Sequence, residues 1–97
     1  MIIIQRAYAG TLESSDLLVE VMPSDDNVLE IEITSSVEKQ FDHLIRQVVT
    51  QTVDELGVQS AYVVVNDKGA LDCVIRARVQ AAVMRAAKTE DMIWGSL

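Results

Sequence analysis

Residues 28–65, VLEIEITSSVEKQFDHLIRQVVTQTVDELGVQSAYVVV, decide the fold. They open with a period of two. Leu29, Ile31 and Ile33 alternate with Val28, Glu30 and Glu32, which gives a strand with one buried face and one wet, acidic face. The period then changes. Val37, Phe41, Leu44, Ile45, Val48, Thr52 and Leu56 recur at helical spacing, and Lys39, His43, Arg46, Gln47 and Asp54 fall on the other side. Ser35 and Glu38 have the S-x-x-E spacing of a capping box at the helix start. Gly57 can take the left-handed conformation that ends a helix. Residues 58–65 (VQSAYVVV) follow as a strand, apolar on both faces towards its end and so expected at the centre of a sheet. If the two strands share a sheet, this β-α-β unit makes them parallel with a right-handed crossover.

Working outward, residues 2–8 (IIIQRAY) and 17–22 (LLVEVM) read as two earlier strands, rich in β-branched and aromatic side chains. The segment PSDDN, residues 23–27, is built from turn formers and reads as a hairpin between the second and third strands. Beyond the central unit, NDKG at 66–69 is a turn, and a last helix runs from about Ala70 to Ala87. That helix carries two apolar stripes. One is Leu71, Ile75, Val79, Ala82 and Ala86; the other, of smaller side chains, is Cys73, Val74, Ala77, Ala81 and Met84. A helix apolar on two sides is expected to be buried on two sides, here against the sheet and against the first helix or a partner. The order β-β-β-α-β-α predicts an α+β two-layer sandwich, a four-stranded mixed sheet with two helices on one face. Residues 1–88 form the expected domain. Residues 89–97 form a tail carrying Met92, Ile93 and Trp94, either folded back on the domain or a docking segment, the second favoured because Trp and Met are enriched at interfaces.

Composition excludes several functions. With 97 residues the chain supports one core but no deep pocket with a full catalytic shell. Eight basic against fifteen acidic residues give a net charge of −7, which repels phosphate backbones and anionic membranes. No apolar stretch is long enough to cross a bilayer, and the N-terminus lacks the basic region of a secretory signal. The single cysteine, Cys73, cannot form an intramolecular disulfide, which fits a reducing cytoplasm. One His and one Cys fall short of a structural zinc site.

Candidate chemistry is sparse. His43 lies on the polar side of the first helix and reads as a solvated surface histidine. Glu30 with Glu32 and Asp25 with Asp26 read as solvent-facing carboxylates without the burial that would make an acid of one of them. Cys73 is expected to be a packed, inert thiol, with Arg76 the one nearby cation that could activate it. The most informative segment is AGTLESSD at 9–16. It is long for a hairpin loop and presents two adjacent hydroxyls, Ser14 and Ser15, between Glu13 and Asp16. It reads either as a polar surface loop bonded to its own amides or as a modification site. A modified serine needs only exposure when a separate transferase supplies the catalysis. The loop is expected to stand clear of the sheet with Gly10 as a flexible start. Glu13 and Asp16 are expected to hold off an anionic group.

At these residues the chain resembles the acyl carrier protein (gamma) subunits of citrate lyase. AGTLESSD at 9–16 is similar to that family's attachment segment, SSVEKQF at 35–41 to its helix start, and NDKGALDC at 66–73 with IRAR at 75–78 to its third block. The resemblance implies a covalent 2′-(5″-phosphoribosyl)-3′-dephospho-coenzyme A group, linked by a phosphodiester to Ser14, the first serine of ESSD. It implies that the thiol of this group bears acetyl and citryl thioesters during cleavage of citrate to acetate and oxaloacetate. It further implies as partners an alpha subunit that exchanges acetyl for citryl, a beta subunit that cleaves the citryl thioester, and a prosthetic-group transferase. The chain itself would be a non-catalytic carrier with no metal. The acyl carrier subunit of malonate decarboxylase, which uses the same group, is a related alternative. A small α+β regulatory module without a covalent group is a second. Fatty-acid and polyketide carriers resemble four-helix bundles and fit a chain with four strands poorly.

Overall fold

The computed structural model describes residues 1–35 and 42–87. Their elements follow the order β1 (Ala7–Gly10), β2 (Leu17–Met22), β3 (Leu29–Ser35), α1 (Asp42–Glu55), β4 (Ala61–Asp67) and α2 (Asp72–Ala87). The four strands form one sheet in the order β1-β2-β4-β3. β1 and β2 are antiparallel, as are β2 and β4, while β3 and β4 are parallel, so the sheet is mixed and the β-α-β reading holds.

The hairpin expected at 23–27 does not form. β4 lies between β2 and β3, with Val21 paired to Val63 on one side and Ile31 paired to Val63 on the other. Residues 23–28 therefore cross the end of an intervening strand, a span of about 10 Å at the usual strand spacing. Asn27 takes a left-handed φ of 54° in that connection, and the Val28 carbonyl accepts from the Ala61 amide at 3.0 Å as β4 begins. The reason is burial. Ala61, Val63 and Val65 are fully buried, and Tyr62, Val64 and Asn66 are half-covered on the opposite face. A strand covered this way belongs at the centre, where both edges of its backbone are paired.

The core lies between the sheet and the helices. Ala7, Ala9, Leu17, Val19 and Val21 meet Ile45, Val49 and Val53 of α1 and Ile75, Val79, Ala82, Val83 and Ala86 of α2. The α1 stripe is rotated from the expected phase. Leu44 is half-exposed, whereas Val49 and Val53 are fully buried. The run LIRQVVTQTV offers two apolar phases one residue apart, and packing selects the one built on Ile45, Val49, Thr52 and Val53. Buried Thr52 satisfies its hydroxyl on the Val48 carbonyl at 2.7 Å. Gly57, at φ 71°, ends α1 with the Val58 amide on the Val53 carbonyl and the Gly57 amide on the Asp54 carbonyl, a Schellman arrangement.

Two other expectations shift. The first strand is shorter than 2–8 because residues 3–5 cross the C-terminal end of α2. The Ile4 and Gln5 amides donate to the Ala86 carbonyl at 3.0 and 3.2 Å, and Gln5 Nε2 donates to the Arg85 carbonyl at 2.7 Å. The helix end thereby gains partners for carbonyls that have none within it. In α2 the stripe of Ile75, Val79, Ala82 and Ala86 is buried, but Leu71, Cys73 and Ala77 are exposed. The smaller stripe buries only Met84 fully, so α2 is covered on one broad face rather than on two. Ser35 closes β3 rather than starting α1, and its hydroxyl donates to Asp67 Oδ2 at 3.0 Å. Glu38, Val37 and Phe41 of the helix-start reading, and the tail 89–97, lie outside the described residues.

The difference between the faces of α2 is measurable. Ile75→Ala, at a site 1% exposed, is expected to cost about 2–5 kcal/mol through the cavity it leaves. Ala77→Glu on the exposed face is expected to change stability by no more than about 0.5 kcal/mol. Urea unfolding of the two variants checks both values.

Candidate functional site

The segment from Gly10 to Leu17 forms a tight turn whose two ends are joined by the Thr11 amide donating to the Leu17 carbonyl at 3.2 Å. Gly10 holds φ 95°, and a Cβ built there would lie 1.8 Å from the Leu17 carbonyl oxygen. Glycine is therefore required, and it makes the start of the turn close-fitting rather than flexible.

Asp16 organises the turn from its other end. Its carboxylate accepts from the Thr11 hydroxyl at 2.8 Å and from the Leu17 amide at 2.7 Å. It also accepts two hydrogen bonds from Arg78 on α2, from Nε and from one terminal nitrogen, each at 3.1 Å. The fork of the guanidinium matches the two carboxylate oxygens, the geometry in which such a pair is strongest. The bond from Arg78, then that from Thr11, push the Asp16 carboxyl down from 3.8 to about 2. Asp16 is thus spent within the fold and does not stand beside the serines as a free repelling charge. Glu13 is the exposed acid of the pair.

A third set of bonds comes from the loop after β4. The Ser15 amide donates to the Lys68 carbonyl at 2.8 Å, and the Lys68 amide donates to the Asp16 carbonyl at 2.9 Å. These continue the β2–β4 pairing past Leu17 and Asp67. Ser15 pays with a left-handed φ of 67°. Asp67, 1% exposed, anchors the loop in turn, because its carboxylate accepts from the Gly69 and Ala70 amides, both at 3.0 Å, as well as from Ser35.

Within this frame Ser14 and Ser15 are both exposed. Ser14 is in the turn but takes no part in the hydrogen bonds that fix it. Its side chain is a hydroxyl held at the surface on a backbone pinned before and after it.

The other candidates gather no site. His43 is exposed and lines an open depression of about 680 Å³ with Leu29, Arg46 and Asp54, with no serine or cysteine on its walls. Cys73 is exposed rather than packed, and the guanidinium of Arg76 is held by Glu55 at 2.8 Å. Among the described residues no three His, Cys, Asp or Glu side chains converge to hold a metal ion. No described helix is long and apolar enough to cross a membrane. Sequence reasoning missed Arg78 and Thr11. Only the acid at Asp16 hinted at a partner, and the basic residue that answers it lies 62 positions away.

The depressed Asp16 carboxyl sets a pH dependence with a definite sign. A group whose folded value is lowered adds stability that is complete above the ordinary aspartate range and is lost as the pH falls through the folded value. The contribution of Asp16 is therefore expected to persist at pH 5 and to vanish towards pH 2. By carboxyl-carbon NMR the Asp16 midpoint is expected near 2, and to rise towards 3.8 in Arg78→Ala. An unmoved midpoint would assign the shift to Thr11 and the Leu17 amide instead.

Comparison with known proteins identifies the family. A family profile described as malonate decarboxylase delta subunit (MdcD) matches residues 4–86. The citrate lyase acyl carrier protein of Vibrio cholerae serotype O1 (strain M66-2) is 56% identical over 97 residues, covering 100% of this chain and 99% of that protein. That of Escherichia fergusonii is 52% identical over 97 residues, covering 100% of both chains. The corresponding protein of Clostridium perfringens is 53% identical over 90 residues, covering 93% of this chain and 89% of that one. Among solved structures, a chain of a Pseudomonas malonate decarboxylase hetero-tetramer crystallised with malonate shares the fold, with a TM-score of 0.68 and 21% identity over 84% of each chain. With identity above half over the full length to proteins so named, the chain belongs to the citrate lyase acyl carrier proteins, non-catalytic carrier subunits.

Proposed function

We propose that Ser14 is the attachment point of the prosthetic group, a 2′-(5″-phosphoribosyl)-3′-dephospho-coenzyme A joined through a phosphodiester, and that the chain carries acetyl and citryl groups in citrate cleavage. The observation that carries the assignment is the Ser14 hydroxyl itself, exposed and outside the bonding network of a turn that is otherwise fixed. Ser15 fits less well, because its own amide is committed to Lys68 and its backbone is left-handed. When bound, the group supplies a terminal thiol that holds acyl chains as thioesters. The chain's own part is to present one hydroxyl and to hold the root of a long arm in place. Tethering raises the effective concentration of the intermediate at the active sites of alpha and beta subunits, which are the partners of this reading. The tail 89–97 is proposed as a docking segment for one of them, and the cytoplasm as the compartment.

A malonate decarboxylase carrier is the second reading, favoured by the family profile over residues 4–86. The identity of over half to citrate lyase carriers along the whole chain favours the first.

Co-expression with a prosthetic-group transferase tests the assignment by intact mass and peptide mapping. The wild-type chain and Ser15→Ala are expected to gain the full mass of the group, and Ser14→Ala to gain none. Modification of Ser14→Ala would move the site, and a wild-type chain that stays unmodified would remove the carrier chemistry altogether.

A further inference from the structure

Gly10, Asp16 and Arg78 form a single device around the turn. Gly10 starts it and Asp16 ends it. Arg78 reaches both from α2: its guanidinium forks onto the Asp16 carboxylate, and its Cδ would lie 3.3 Å from a Cβ at position 10. The missing side chain of Gly10 thus leaves room for the stem of Arg78 as well as for the Leu17 carbonyl. Most of the sheet is held elsewhere. The β1–β2 ladder runs from Ala7–Val21 to Gly10–Leu18, and the core valines lie farther along β2 and β4. What the device fixes is the six residues 11–16, and the only side chain there that is both exposed and immediately before the pinned Ser15–Asp16 pair is Ser14.

We infer that Arg78 and Asp16 are positioning residues for prosthetic-group attachment, holding the 11–16 turn in the one conformation a transferase accepts. The inference rests on Ser14 being the attachment serine. Attachment forms a bond from Ser14 Oγ to the phosphorus of a phosphoanhydride-activated form of the group. The anhydride P–O bond breaks, its electron pair leaves with the departing phosphate portion, and the hydroxyl proton passes to a base on the transferase. This chain contributes only the position of the oxygen. An open turn that visits the accepted conformation a fraction of the time weakens apparent binding by that fraction. Loss of the brace therefore falls on KM, while kcat, set by the transferase's own groups once the turn is seated, changes little.

The test is steady-state attachment followed by intact mass, with the purified transferase and its activated donor, for wild type, Arg78→Ala and Arg78→Lys. Arg78→Ala is expected to raise the KM for the carrier by roughly 10- to 100-fold, with kcat within about threefold. Arg78→Lys keeps the charge but loses the fork and is expected to fall between. Amide exchange on the unmodified chain gives an independent readout. The Ser15 and Leu17 amides are expected to lose protection in Arg78→Ala while the Val63 and Val65 amides keep theirs. If Arg78→Ala does not fold, Arg78→Gln, which retains the stem against Gly10, is read in the same way. A folded variant with wild-type KM overturns the inference and leaves Ser14 standing. A wild-type chain that takes no group overturns both.

Discussion

β4 is hydrogen-bonded to β2 on one side and to β3 on the other, and its inward side chains are fully buried beneath both helices. Most of the geometry follows from that insertion. Because β4 runs parallel to β3 and antiparallel to β2, the ends of β3 and β4 and the start of β2 come together at one end of the sheet. Ser35 pairs with Asp67, and Leu17 pairs with Asp67 from the other side. The buried carboxylate of Asp67 then has three strands and the start of α2 within reach, and it accepts from a hydroxyl and two amides there. A buried carboxylate is tolerated only when its oxygens are satisfied in this way. The 11–16 turn is built on the same end, tied to Lys68 one residue past β4, so the central strand holds it together with its own Gly10 and Asp16.

The electrostatics of that end run against the composition. A chain with net charge −7 is a poor host for a phosphodiester, and the ESSD segment places an acid on each side of the serines. The structure separates the two acids. Glu13 stays at the surface, whereas Asp16 gives its charge to Arg78, with 14% of its side chain exposed against 42% for the arginine. A bidentate pair of this kind is worth more than an exposed ion pair, because the fork leaves neither oxygen seeking another donor. Local neutralisation therefore reduces the repulsion that the sequence suggests and ties the turn to α2.

The parts of the fold legible in the sequence were those with one dominant period. β3 announces itself by strict alternation, and the apolar character of β4 on both faces marks it as central. The parts that misled were those where two readings compete locally and only packing decides. PSDDN has the composition of a hairpin, but no turn former encodes which strand will lie alongside β2. LIRQVVTQTV contains apolar residues at adjacent positions, so the choice between the phase of Leu44 with Val48 and that of Ile45 with Val49 is a rotation of about 100° that the sequence leaves degenerate. The run IIIQ looks like a strand because β-branched residues favour one, yet its backbone is taken by the free carbonyls at the end of α2. The site was legible in part. Two serines in a polar loop pointed to an exposed hydroxyl, but the brace could not be seen, because its two halves are 62 residues apart and nothing in either segment says that Asp16 and Arg78 meet.

The edges of the sheet complete the argument about what this surface is for. Strands β1 and β3 are both edges, and an open edge invites pairing with another chain. Each has a carbonyl taken by an arginine from the helix above it. Arg85 donates to the Tyr8 carbonyl at 2.7 Å, and Arg46 donates to the Ile31 carbonyl at 3.0 Å. On the open face, Arg6 pairs with Glu20 and lies 5.2 Å from the centre of the Tyr8 ring, and Tyr62 donates to Glu32. Three of the eight basic residues are thus arginines spent on backbone edges or on a surface carboxylate, and a further two, Arg76 and Arg78, hold the helices to their neighbours. In a chain so short of cations, this distribution leaves few of them to attract a polyanion and covers one carbonyl on each open edge. What remains open is the serine turn, where the backbone is pinned before and after an exposed hydroxyl that has no partner among the described residues.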